Sequence, residues 1–202
     1  MQAAEYLTAI QNENGHWHSK NNYYAVNGLF KLCFIYNAAN IPFPNAMAAA
    51  RSAIDAITSD EPMGAVTDLY NTWFTVHNLL INLRKHGGEE GDKNADSVVA
   101  ELRRLAPYAI RRSKEKIAPF KKADGAFSYG VKYCSCTSQG APVALPDTAE
   151  GDENATTIST NGLIGNIYSA LELSDYRVYR FGSREREMYL SILEENRAKA
   201  GV

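Results

Sequence analysis

The chain alternates between two kinds of helical segment, and that alternation limits its fold more than any other feature. Runs beginning near Asn21, Val66 and Ala155 are apolar almost all round, whereas runs beginning near Asn45, Asn94 and Ser183 carry a charged face. A helix that is apolar on every side must be buried, and an amphipathic one lies against it with its charges in water. Inner and outer helices taken in turn describe a stack of helical hairpins. Period-two alternation is not sustained anywhere, although a short hairpin arm is expected in "AFSYGVKY" (126–133), so the fold class is all-α.

Punctuation residues set the expected boundaries. "AAEYLTAI" is a short first helix, and "NYYAVNGLFKLCFIYNAAN" a second, stopped by the two prolines of "IPFP". Asn45 is expected to cap "AMAAARSAIDAI", and Gly87 and Gly88 to end "TDLYNTWFTVHNLLINLRKH". After the polar "EEGDKN", the run "ADSVVAELRRLAPYAIRRSKEKI" should be kinked or divided by Pro107. From Lys121 to about Ala155, glycines and prolines interrupt any helical period, and a connection of that length is commonly functional. "TTISTNGLIGNIYSALEL" then resumes a helix, and Ser183 is placed to cap "REREMYLSILEENRAKA".

With 202 residues the chain can bury a real core as a single domain over 1–202. A net charge of -2 argues against a nucleic-acid partner held by a general basic field. No apolar run is long enough to cross a bilayer, so no membrane association is expected. Read as written, the chain is cytoplasmic; read as excised from a longer precursor, it is secreted. Cys33 reads as a core residue, and the close pair Cys134 and Cys136 does not complete a four-ligand zinc site, so neither metal nor cofactor is expected.

Two further patterns repeat. "VNGLF", "YNTWF" and "TNGLI" put Asn27, Asn71 and Asn161 at equivalent places, each followed by bulky apolar groups. In "QNENGHW" and "KKADGAF", Gly15 stands two residues before Trp17 and Gly125 two before Phe127. Gln11, Gly15 and Trp17 match the Q-x-x-x-G-x-W motif of triterpene cyclases, with Lys121 and Phe127 replacing its Gln and Trp in the later copy. The chain therefore resembles the α/α-toroid superfamily: terpenoid cyclases, prenyltransferase β-subunits, and several polysaccharide lyases and glycosidases. The resemblance implies that Gln11 and Trp17 tie adjacent helices together. A closed toroid of this kind has about six hairpins. Three to four are present, so the resemblance implies a partial ring that self-associates or is completed by the rest of a longer chain.

The acidic D-x-D-D and D-D-x-x-D motifs that cyclase chemistry would require do not occur. What remains is a carbohydrate-processing or carbohydrate-binding reading with an oligosaccharide ligand, since "DGAFSYGVKY" loosely resembles a loop of toroid lyases. A lyase needs a donor to steady a uronate carboxylate and a His or Tyr to move protons. His77, Tyr129, Tyr133 and Asp152 are the catalytic candidates, and Asn27, Asn71, Asn161, Trp73 and Asp68 the substrate-binding ones. Each has a structural alternative: Asn as a helix cap, His77 and Trp73 as core, and the acids of "PDTAEGDEN" as caps in a solvated loop. His16 and His18 read as surface histidines. Two other functions stay open: a non-catalytic helical-repeat interaction module, and an isoprenoid-binding protein without catalytic acids.

Overall fold

The computed structural model describes residues 2–141, 148–176 and 183–201, and among them the regular structure is helical, with no strand. Asp147, Pro142 and Pro146 lie outside the described residues. The helices are α1 (Gln2–Ala9), α2 (Tyr23–Ala39), α3 (Ala46–Thr58), α4 (Val66–His86), α5 (Gly88–Ile117), α6 (Ser135–Gln139), α7 (Glu153–Thr157), α8 (Leu163–Ala170) and α9 (Ser183–Ala200). Contacts divide the chain into two units, Met1–Glu172 and Leu173–Val202.

Within the first unit α4 is central, packing against α2, α3, α5 and α8. Its Leu69, Trp73, Val76, Leu79 and Leu80 are essentially fully buried. Helix α3 packs against both α4 and α5. Its buried face is built largely from Ala49, Ala50, Ala53 and Ala56, whose small side chains let the backbones approach, while Ile54 and Ile57 fill the space between. The amphipathic α5 turns Ala95, Val98, Val99 and Leu102 inward and keeps its charges outside.

Several boundaries differ from the expected ones. Asn45 does not cap α3: its backbone is left-handed (φ 45°), and its Nδ2 donates instead to Gln11 Oε1 at 3.0 Å. Helix α5 starts at Gly88, so "EEGDKN" is its first turns rather than a linker, with Glu89 and Glu90 favourably placed at the positive end of the helix dipole. Pro107 does not divide it. The proline is exposed, where water can serve the carbonyl it leaves unpaired. "AFSYGVKY" makes single bridges rather than a hairpin arm, Phe127 pairing with Lys121 and Asp152, and Gly130 with Tyr133. After α7, a π-turn over Ile158–Gly162 interrupts the helix before α8.

The turn carrying Gln11, Gly15 and Trp17 joins three segments. Gln11 Nε2 donates to Gly15 O and to Pro44 O, both at 2.9 Å, and Trp17 Nε1 donates to Leu7 O at 2.7 Å. The Trp17 ring meets Phe43 edge-on at 5.7 Å. Gly15 (φ +80°) is wedged against the Ala49 backbone, leaving no room for a side chain. His16 is fully buried, not a surface residue: its Nε2 faces Asn21 Oδ1 at 3.1 Å, and its Nδ1 has no partner.

In the second unit, α9 exposes Met188, Tyr189, Leu190, Ile192 and Leu193 among its charges.

Candidate functional site

Asn27 and Asn71 sit one turn or more inside α2 and α4, so neither is a helix cap. The cap of α2 is Asn22, which accepts from the Ala25 N–H at 3.0 Å. The start of α4 is held by Asp68, whose Oδ2 accepts from Gly64 and Ala65 N–H at 2.7 and 3.1 Å. Burial raises the Asp68 pKa, and those two backbone donors act against the rise. This carboxylate is committed to its own helix end.

The two asparagines meet directly, Asn71 Nδ2 donating to Asn27 Oδ1 at 3.0 Å. They line a cavity of about 380 Å³ with Phe30, Lys31, Thr67, Tyr129 and Gln139. That volume lies toward the lower end of small-molecule sites, about 300–1,000 Å³. Helical spacing explains the wall: Phe30 and Lys31 follow Asn27 by three and four residues, and Thr67 precedes Asn71 by four.

Tyr129 closes the cavity from the loop side. Its backbone carbonyl accepts from Val66 N–H at 2.9 Å, which ties the loop to the start of α4. Its hydroxyl lies 3.1 Å from the Thr67 hydroxyl and accepts from Gln139 Nε2 at 2.8 Å. Burial raises its pKa, with the Thr67 contact opposing and Tyr133 and Asp68 adding to the rise, so at neutral pH it is a phenol and a donor. Tyr133 stacks obliquely on Tyr129 at 6.0 Å but spends its hydroxyl on Gly64 O at 3.2 Å.

The other candidates lie elsewhere. Asp152 caps α7, accepting from Ala155 N–H at 2.7 Å, and its two oxygens also take the Ser135 hydroxyl and N–H at 2.7 and 3.0 Å. Trp73 is fully buried and donates to Ser113 Oγ at 3.0 Å, which makes it a core residue rather than a cavity wall. His77 packs beside Phe74 at 6.3 Å; burial lowers its pKa, while the Ser169 backbone and Glu172 pull it back up. Asn161 lies exposed in the π-turn.

Sequence reasoning missed Lys31, Phe30, Thr67 and Gln139. For the first three the signal was present, since each stands three or four residues from one of the two asparagines. Gln139 reaches the site from α6, inside a stretch with no period to read. The residues lining the cavity carry side-chain amides, hydroxyls, an aromatic ring and the lysine Lys31. Compared with protein-family models, curated proteins and solved structures, the chain matches none of them.

Proposed function

We propose that the first unit is an arc of an α/α-toroid whose cavity binds an acidic oligosaccharide. The observation that carries this reading is the Asn71–Asn27 hydrogen bond at the rim of the cavity that Tyr129 closes. Two residues equivalent in the sequence repeat stand side by side on neighbouring helices, as the inner helices of such a ring require. Amides and hydroxyls suit sugar hydroxyls, Phe30 offers a ring face, and Lys31 supplies the charge for a uronate carboxylate. Among the catalytic candidates, Tyr129 alone is placed at the cavity wall among the described residues. Binding is therefore the better-supported half of the reading, and lyase turnover would call on Tyr129 to move the proton.

Titration calorimetry with a glucuronate trisaccharide and its neutral glucose counterpart tests this. The acidic sugar should bind, Lys31→Met should weaken it toward the neutral one, and Asn71→Ala should weaken both. Absence of heat from either sugar would remove the reading. A growing ultraviolet absorbance from an unsaturated uronate product would add turnover to it.

A second reading, the interaction module, has its own observation. A groove of about 700 Å³ runs between α1 and the end of α2, lined by Ala4, Thr8, Ala9, Tyr36, Ala39 and Ile41 among others. Tyr6, Ile10 and Ile35 are exposed near its helices. Self-association or another helical segment would cover such an edge. Sedimentation of the chain separates the two: a concentration-dependent dimer dissociated by Ala9→Glu supports it, and a monomer at all concentrations removes the self-association.

A further inference from the structure

The cavity is not closed on all sides by polar groups. Phe30, one of its walls, is also the first ring of an aromatic strip running away along α2 and α4. Phe30 meets Phe34 edge-on at 4.9 Å and Phe74 at 5.8 Å, and Phe34 meets Phe74 at 5.5 Å. Tyr70 joins Phe74 at 6.1 Å. Phe34 stays 45% exposed. From Asn27 to Phe34 the helix rises about 10 Å, seven residues at 1.5 Å each. Over that length the ring contacts offer no hydrogen-bond donor except at the Tyr70 and His77 margins.

We propose that cavity and strip form one site for an amphiphilic acidic glycoside, its sugar held by Asn27, Asn71 and Lys31 and its apolar aglycone lying on Phe30, Phe34 and Phe74. This rests on the sugar reading of the cavity. A longer soluble oligosaccharide would need polar partners along its whole length, and beyond Phe30 the surface supplies rings instead. An alkyl or aryl group about 10 Å long exchanges water for those rings and gains the burial free energy that the bare strip forgoes. Continuity through Phe30 makes the occupant an extension of the sugar ligand and not a separate protein partner.

Calorimetry below micelle-forming concentrations, with octyl β-glucuronide, methyl β-glucuronide and octanoate, tests the assignment on the full chain. The octyl glycoside should bind at least about tenfold tighter than the methyl glycoside, a gain worth roughly two buried methylenes. Phe34→Gln, at a side chain already half in water, should lower octyl glucuronide affinity by about tenfold or more, a larger loss than it causes for methyl glucuronide. Equal affinity for both glycosides overturns the amphiphile and leaves the sugar site standing. Octanoate binding as tightly as octyl glucuronide, or neither glucuronide binding, overturns the sugar reading as well. Sedimentation provides the last arm: a dimer that Phe34→Gln dissolves makes the strip an interface between copies, and the proposal falls.

Discussion

Helices α2 and α4 are joined by asparagine side chains at two levels, and the two levels are built differently. At the level of Asn27 and Asn71, one side-chain hydrogen bond joins the pair, and the opposite amide groups have no partner among the described residues. At the other, Asn82 Nδ2 donates to Asn37 Oδ1 at 2.8 Å and to Ile41 O at 3.1 Å, while its Oδ1 accepts the Phe43 N–H at 2.6 Å. Asn37 Nδ2 in turn reaches Asn78 Oδ1 at 3.2 Å, and Asn78 Nδ2 returns to Phe74 O at 2.8 Å. An amide has two donors and two acceptor sites. At the second level every side-chain amide nitrogen and oxygen has at least one partner inside the protein. At the first, capacity is left over beside a cavity. Residue type alone does not separate the two levels, whereas counting bonds does.

The largest effect should come from opening the saturated level. Asn82→Ala strands the buried Phe43 N–H and removes two more bonds, so it should cost about 3 kcal/mol in a urea melt. A loss below about 1 kcal/mol would erase the distinction between the levels. Next is Trp17→Ala, because Trp17 rests on the same Phe43 and donates to Leu7 O. Trp17 is only partly buried, so the loss should be about 2 kcal/mol rather than the larger cost of a fully buried tryptophan.

A smaller effect concerns pH. His16, in the same turn, is held below its ordinary pKa of 6.5 by burial, with Asn21 opposing and His18 assisting the shift. A lowered folded pKa means the unfolded chain takes the proton first as the pH falls. Stability is therefore full above about pH 6.5 and declines below it, by at most about 1.4 kcal/mol per pH unit for this one proton. His16→Gln should flatten that decline, and His77, displaced in the same direction, should keep its own share. Urea melts at a series of pH values would show it; identical slopes in variant and parent would contradict it.

The smallest stability change should be at the open level. Asn71→Ala should shift the melt by less than about 1 kcal/mol while lowering acidic-sugar affinity about tenfold. A stability loss as large as that of Asn82→Ala would make both levels clamps.

Much of this was legible in the residues. The all-α class and most helix positions followed from apolar period and from Gly and Pro punctuation, because those signals are local. The repeat put Asn27 and Asn71 at equivalent places on α2 and α4, where they meet, but it put Asn161 there as well, and that residue lies exposed in the π-turn. The roles of Asp68 and Asp152 were harder. A carboxylate at a helix start satisfies backbone donors whenever the local turn presents them, and the turn is set by contacts far along the chain. Trp73 was ambiguous for a similar reason: its partner Ser113 lies forty residues away on α5. That Pro107 leaves α5 undivided was not legible locally, because a proline's effect depends on whether water reaches the freed carbonyl, and that is a property of the finished surface.

The junction of α4 and α5 has a mechanical consequence. The two helices are separated by Gly87 alone, and Gly91 presses on Leu83 O so closely that a methyl group there would have to push α5 aside. Helix α5 has thirty residues, about 45 Å of length, and starts at that vertex. A tilt of roughly 10° would carry its far end about 8 Å along an arc of that radius. That end is latched by Arg112 to Asp60 at 2.7 Å and by Lys116 to the Tyr23 hydroxyl at 2.7 Å, and it runs on to Phe120, whose carbonyl holds the segment leading to Tyr129. Leverage applied at Gly91 would thus be delivered to the jaw of the cavity. Gly91→Ala, with helix content intact by circular dichroism, should weaken the proposed binding of the acidic sugar in calorimetry, although the residue lies outside the cavity lining.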